Sequence, residues 1–497
     1  MNKKLFLGTL LLLLVIILGL KQEQNPIWAE YQKKYFIEQK KILQAQLETA
    51  QDEKTKALLQ NEITGWENRK PEIINIVLPN GKVERCKTCH IGIEEISSSH
   101  PSNTFGCTVC HGGNPLSLDK QTAHAQMLGT AHPGSLDVAS LSCGSTGPNG
   151  EACHSQNHEQ ADNEVDLVKS SLMSTKAGEL SVVRMMFGLD KTKDVPNLGK
   201  NDVAIQYSHP LMGLPQEKEF QESCLSMCHQ GGSGHLPNLL EVMKNGTAGQ
   251  ANVNNNNQNT AHGCEVCHVL TNPEHTYQGS DTAMKGFETG HGMTHQLTTQ
   301  IPYTQCNQCH NEGIHDPIQM KFTYRSDLGK VVDDWKTGNK DWDSRLADYY
   351  LPGELFAKCE VSLDCIDCHT RQDVMGDGNK WTSQYDAVHI QCADCHGTKT
   401  SNPLTKTIEN MNDLAFEEKV TNPVFPELKV GDQILMTKKG EELPFARQKG
   451  QNWFIYSRVS GESTKIPLVM GSSCQQNPEE QNADSCHKCH TGADLHK

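Results

Sequence analysis

Seven segments of the chain read C-x-x-C-H. Their cysteine pairs are Cys86 and Cys89, Cys107 and Cys110, Cys264 and Cys267, Cys306 and Cys309, Cys365 and Cys368, Cys392 and Cys395, and Cys486 and Cys489. Each pair is followed at once by a histidine, giving His90, His111, His268, His310, His369, His396 and His490. Two thiols three residues apart can add to the two vinyl groups of one haem, and the next residue then reaches the iron from the proximal side. That is the c-type attachment signature. Zinc ribbons and thiol–disulfide sites use C-x-x-C without requiring histidine next. With 23 histidines in 497 residues, seven such histidines by chance have a probability on the order of 10⁻⁹.

Two further sites are stretched versions. Cys224 and Cys228 with His229 form C-x3-C-H, and Cys143 and Cys153 with His154 form C-x9-C-H. The longer insert contains Gly144, Gly147, Pro148 and Gly150, which favour turns that bring the two thiols back together. The alternative for either site is a disulfide or a plain thiol pair. Counting both, the chain is expected to carry about nine haem c groups, and at least seven. Cys359 and Cys474 are left over, as a disulfide or as inert thiols. A competing Cys474-x11-Cys486-His487 site would take Cys486 from its own motif.

Nine of the histidines are proximal candidates and fourteen remain. Nine distal ligands are needed if every iron is bound by two histidines, so the supply is adequate. The favoured distal ligands are His100, His124, His132, His209, His262, His291, His315, His389 and His487. His158, His235, His275, His295 and His496 are spare, and the 15 methionines offer an alternative ligand that would raise the potential.

These residues need a scaffold, and the composition constrains it. Hydrophobic residues make up only 36% and aromatic residues 6%, too little for side chains alone to build the core. Twenty cysteines in a chain this long exclude a disulfide miniprotein. A net charge of −15 excludes nucleic acid as a partner, since phosphate binding needs a basic face. Lys3 and Lys4 precede Leu5 to Leu20, sixteen residues without a charge. With no A-x-A site after Leu20, an uncleaved signal anchor is favoured over a cleaved signal peptide. The positive end stays inside, which puts everything after Lys21 on the periplasmic or outer face.

Residues 1–24 are therefore read as a single membrane-spanning anchor, 25–72 as a helical stalk, and 73–497 as a multihaem c domain. The stalk is one long helix or two, because residues 28–66 lack proline and carry no glycine until Gly65. A coiled-coil homodimer through it would have to tolerate Lys40 and Lys54 in the seam. Ile74 to Leu78 and Val83 read as extended around Asn80-Gly81, and Val165 to Phe187 as helical. Gln433 to Lys438 and Trp453 to Val459 alternate like a small β element near the C-terminus. The fold class expected is a multihaem cytochrome c, mostly α and coil around closely packed haems.

The segments Arg85 to Ile93, His100-Pro101, Gly106 to Asn114 and Ala123-His124 resemble the membrane-anchored bacterial multihaem cytochromes c. The anchor and the helix starting Trp28-x2-Tyr31-Gln32 are similar to the same group. The likeness covers residues 1 to about 135 and rests beyond that on the haem motifs alone. It implies electron transfer between a quinol-oxidising membrane complex and a periplasmic or extracellular acceptor, in anaerobic respiration, with no catalytic residue of the chain's own. The alternative is a terminal reductase of a small nitrogen or sulfur oxyanion, which needs one iron with an open face and cationic groups beside it. The pentahaem nitrite reductases have a C-x-x-C-K site, which this chain lacks, and the C-x9-C-H site is a distant echo of the longer gap in octahaem sulfite reductases.

Overall fold

The computed structural model describes residues 26–129, 132–151, 153–154, 163–174, 263–271, 276–285, 292–306, 363–379, 381, 384–416, 422–425 and 427–475, with Leu13, Asn477 and Cys486 as single positions. The leader, Cys224, Cys228, His229, His209, His262, His291, Cys309, His310, His315, His487, Cys489, His490 and the leftover Cys359 lie outside them. Among the described residues no helix is long and apolar enough to cross a membrane.

The stalk segment forms two helices, α1 (Ile27–Thr49) and α2 (Glu53–Asn68). The helical pattern breaks because Asp52 caps α2, its carboxylate accepting from Thr55 N at 2.8 Å, while Ala50 is already extended. The helices return on each other as a hairpin. Trp66 meets Tyr35 and Phe36 with ring centroids 5.7 and 5.6 Å away, and the Arg69 guanidinium lies 4.8 Å over the Trp66 ring. Ala29, Gln32 and Phe36 form the buried stripe of α1. Gln32 fixes that stripe to the first cysteine motif. Its amide donates to Thr88 O at 2.8 Å and Glu72 O at 2.7 Å and accepts from Glu72 N at 2.9 Å. A fully buried amide with three partners holds one register, because a shift would strand each of them.

Ile76–Val77 (β1) and Val83–Glu84 (β2) pair antiparallel around Gly81, whose φ of 81° the turn requires. Near the other end lies a five-stranded antiparallel meander: β3 (Leu404–Thr407), β4 (Gln433–Met436), β5 (Glu442–Lys449), β6 (Asn452–Tyr456) and β7 (Ser463–Ile466). The two segments read as strands are β4 and β6, and the sheet around them is larger than the alternation alone indicates. The helical pattern from Val165 is helix over Glu164–Ser170, and its continuation lies outside the described residues.

The sheet supports two motifs. Leu435, Ala446, Trp453, Ile455 and Ile466 bury Leu363 between them, with Cys368 and Cys395 packed against the cluster. Arg458 N donates to Asp367 Oδ1 at 2.5 Å, Arg458 Nη1 to Ile366 O at 3.0 Å, and Lys438 N to Asp394 Oδ1 at 3.0 Å. The acidic residues inside Cys365–Cys368 and Cys392–His396 thus serve as anchors to the sheet as well as capping boxes of their helical turns.

Candidate metal centres

The compact motifs whose residues are all described are each one helical turn, and in three of them a backbone bond runs from the histidine to the first cysteine. His90 N donates to Cys86 O at 3.0 Å, His111 N to Cys107 O at 3.0 Å, and His369 N to Cys365 O at 2.9 Å. Cys264–His268 and Cys392–His396 are short α-helices. The stretched site reproduces the same closure. His154 N donates to Cys143 O at 3.0 Å across the nine-residue insert. The insert closes on itself through Cys153 N to Ser145 O (3.2 Å), Gly147 N to Glu151 O (2.9 Å) and Gly150 N to Gly147 O (3.0 Å). Gly150 has φ 86°, which a side chain at that turn would resist.

Neighbouring motifs touch through their first thiols. Cys86 lies beside Cys107, Cys143 beside Cys264, and Cys306 beside Cys365, close enough for the free thiols to interact before any haem is attached. The contact with Cys264 pulls the Cys143 thiol down to about 7. Burial, with Cys143 and Cys153 nearby, pushes Cys110 up to about 12. Gln305 ties the Cys264 motif to the Cys306 turn, its amide donating to Val266 O at 2.5 Å. Tyr303 N donates to Asp364 Oδ1 at 2.8 Å, joining that turn to the Cys365 motif.

Glu84 positions the second motif. The carboxylate is 2% exposed and accepts from Cys107 N at 2.5 Å, from Thr108 N at 3.2 Å and from the Thr108 hydroxyl. A Cβ at Gly106 would collide with it. Glu84→Ala strands these donors and should cost about 1–3 kcal/mol of stability, read as a lowered unfolding midpoint. Glu84→Gln, which keeps one acceptor oxygen and the shape, should lose less.

Among the described residues three pairs of histidine rings lie close together. His90 faces His124 with centroids 6.0 Å apart, His100 faces His154 at 6.3 Å, and His111 faces His295 at 5.8 Å. Each pair joins one motif histidine to one from outside the motifs. An imidazole nitrogen sits about 2 Å from a metal it ligates, so two rings facing one ion have centroids about 6 Å apart. Aromatic pairs in general span that separation, so the decisive feature is that all three combine a proximal with a non-motif histidine. Burial favours the neutral ring, the form a ligand must take, at five histidines, whereas burial at His90 is outweighed by Asp281, which raises that ring, and Glu164 raises His154. Burial pushes His111 down to about 3, with His295 adding to the effect, and lowers His124, His295, His100 and His268.

Many of these rings are also oriented through Nδ1, which leaves Nε2 to ligate. His90 Nδ1 is 2.6 Å from Asp281 Oδ2, His268 Nδ1 donates to Thr298 O at 2.9 Å, and His396 Nδ1 to Pro467 O at 2.7 Å. His295 Nδ1 donates to Glu94 O at 3.2 Å, and His100 Nδ1 lies 3.0 Å from Ser97 Oγ. His154 Nδ1 is 3.7 Å from Glu164, and His369 Nδ1 3.4 Å from Asp373. His132 is buried with Nδ1 2.9 Å from Glu265. His389 lies between carboxylates, Nδ1 2.6 Å from Glu441 and Nε2 3.4 Å from Asp377.

The residues present therefore fit haem iron on three counts: the closed cysteine turns, the paired histidine rings and the tethered Nδ1 atoms. Sequence reasoning left His295 among the spare histidines and missed the carboxylates Glu84, Glu94 and Asp281, which carry no local motif. Comparison with family models, curated proteins and solved structures finds no match.

Proposed function

We propose that the chain is an electron-transfer relay of about nine covalently attached haem c groups, held on the outer face of the cytoplasmic membrane. The observation that carries the reading is the set of three facing histidine pairs, His90–His124, His111–His295 and His100–His154. A haem iron supplies one-electron chemistry when bound. The two imidazoles of each pair would hold it, which would leave no coordination site for substrate and keep the ligand set the same in both redox states. The thiol contacts between motifs bring neighbouring sites together, as a relay requires.

On this reading the electron donor is a quinol-oxidising membrane complex and the acceptor a periplasmic or extracellular protein or oxidant. The leader supports the placement, and membrane fractionation after a salt wash tests it. The test of the relay itself is the resting-state spectrum with carbon monoxide titration of the reduced protein. The expected result is low-spin haem throughout and little carbon monoxide binding. A stoichiometric high-spin haem that binds nitrite or sulfite with turnover would move the assignment to the oxyanion reductase.

A further inference from the structure

Asp281 lies between the Cys264 and Cys306 motifs, yet it is fully buried against the first motif of the chain. Its Oδ2 is 2.6 Å from His90 Nδ1, across 191 residues of sequence. The carboxylate is held rigidly. Oδ1 accepts from Ala283 N at 2.8 Å, and Asp281 N donates to Tyr277 Oη at 3.1 Å. Tyr277 in turn donates to Glu94 Oε2 at 2.8 Å, and Ser280 N donates to Glu94 Oε1 at 2.7 Å.

The adjacent site is built differently. Its first cysteine, Cys107, lies beside Cys86. His111 Nδ1 is buried with no hydrogen-bond partner, and the facing His295 donates Nδ1 to a neutral carbonyl, Glu94 O. The second site has a buried carboxylate too, Glu84, but it accepts from the Cys107 and Thr108 amides; what separates the two sites is a carboxylate on the ring nitrogen of the motif histidine, present on His90 and absent from His111.

We infer that Asp281 is a positioning residue that lowers the reduction potential of the haem on Cys86 and Cys89 below that of the haem on Cys107 and Cys110, so that electrons pass from the first to the second. The inference rests on the haem reading above. Ferric haem carries one more positive charge than ferrous haem, and a buried carboxylate nearby stabilises the more positive state in low-dielectric surroundings. Hydrogen bonding from Nδ1–H to a carboxylate also raises the basicity of the ligating nitrogen, in the same direction. In the transfer one electron leaves the ferrous first iron, which becomes ferric, and reduces the ferric second iron. No bond or proton is exchanged.

The test is a potentiometric titration of the full-length haem protein and its Asp281→Asn variant, with haem content counted by intact mass in both. The asparagine keeps the shape and an acceptor oxygen and removes the charge. One component should become at least about tenfold easier to reduce, equivalent to about 59 mV for one electron, with haem content unchanged. It should be the component that disappears in Cys86→Ala/Cys89→Ala. Asp52→Asn, in the exposed helical turn, should move nothing. An unmoved titration with all haems present overturns the inference and leaves the relay standing, whereas absence of covalent haem in the wild type removes the reading beneath it. Should Asp281→Asn not accumulate, the components lost from Cys86→Ala/Cys89→Ala and Cys107→Ala/Cys110→Ala decide. The first must be the more negative, and the reverse order overturns the inference.

Discussion

Replacing His295 with alanine is expected to convert one haem of the protein from six-coordinate low-spin to five-coordinate high-spin. Carbon monoxide binding should rise from little to one equivalent per chain. His295 stands across from His111 with ring centroids 5.8 Å apart, and burial keeps both rings uncharged. No second ring is seen facing His111 among the described residues, and alanine supplies no ligand. The backbone around the site should survive, since Glu94 is also held by Ser280 N and Tyr277 Oη. Retention of a fully low-spin spectrum in His295→Ala would show that another residue ligates the iron.

The second large effect concerns the stretched site. Cys143→Ala/Cys153→Ala should remove one haem and leave the others in place. Shortening residues 144–152 to any two turn-forming residues should keep the haem count unchanged. The reason is geometric. The His154 N to Cys143 O bond, at 3.0 Å, matches those of the His90 and His111 motifs, so the insert is an excursion from a turn that is already closed. Intact mass of both variants reads the result. Equal mass increments over the apoprotein in the wild type and the double alanine variant would make Cys143 and Cys153 an ordinary thiol pair.

What could be read from the sequence was the chemistry contained within a few residues. The cysteine–histidine turns close through bonds between residues four apart, and the strands β4 and β6 follow local alternation. The break between α1 and α2 was open because it depends on one side chain, Asp52, winning the Thr55 amide over continued helix. The ligand pairs and their supports were not legible for a different reason. His295 and His291 sit in one histidine-rich run, and nothing local distinguishes which faces His111. Asp281 reaches His90 only through tertiary closure. A buried carboxylate such as Glu84 looks in sequence like any charged residue at the end of a strand. Its role appears only once Gly106 brings the Cys107 turn onto it.

The most direct test of the central claim is the intact mass of the exported protein set against the mass calculated for the apoprotein. An increment of nine haems is expected, all retained under denaturing conditions because the bonds are covalent. Seven would remove both stretched sites and leave the compact motifs intact. An increment of fewer than seven would contradict the account.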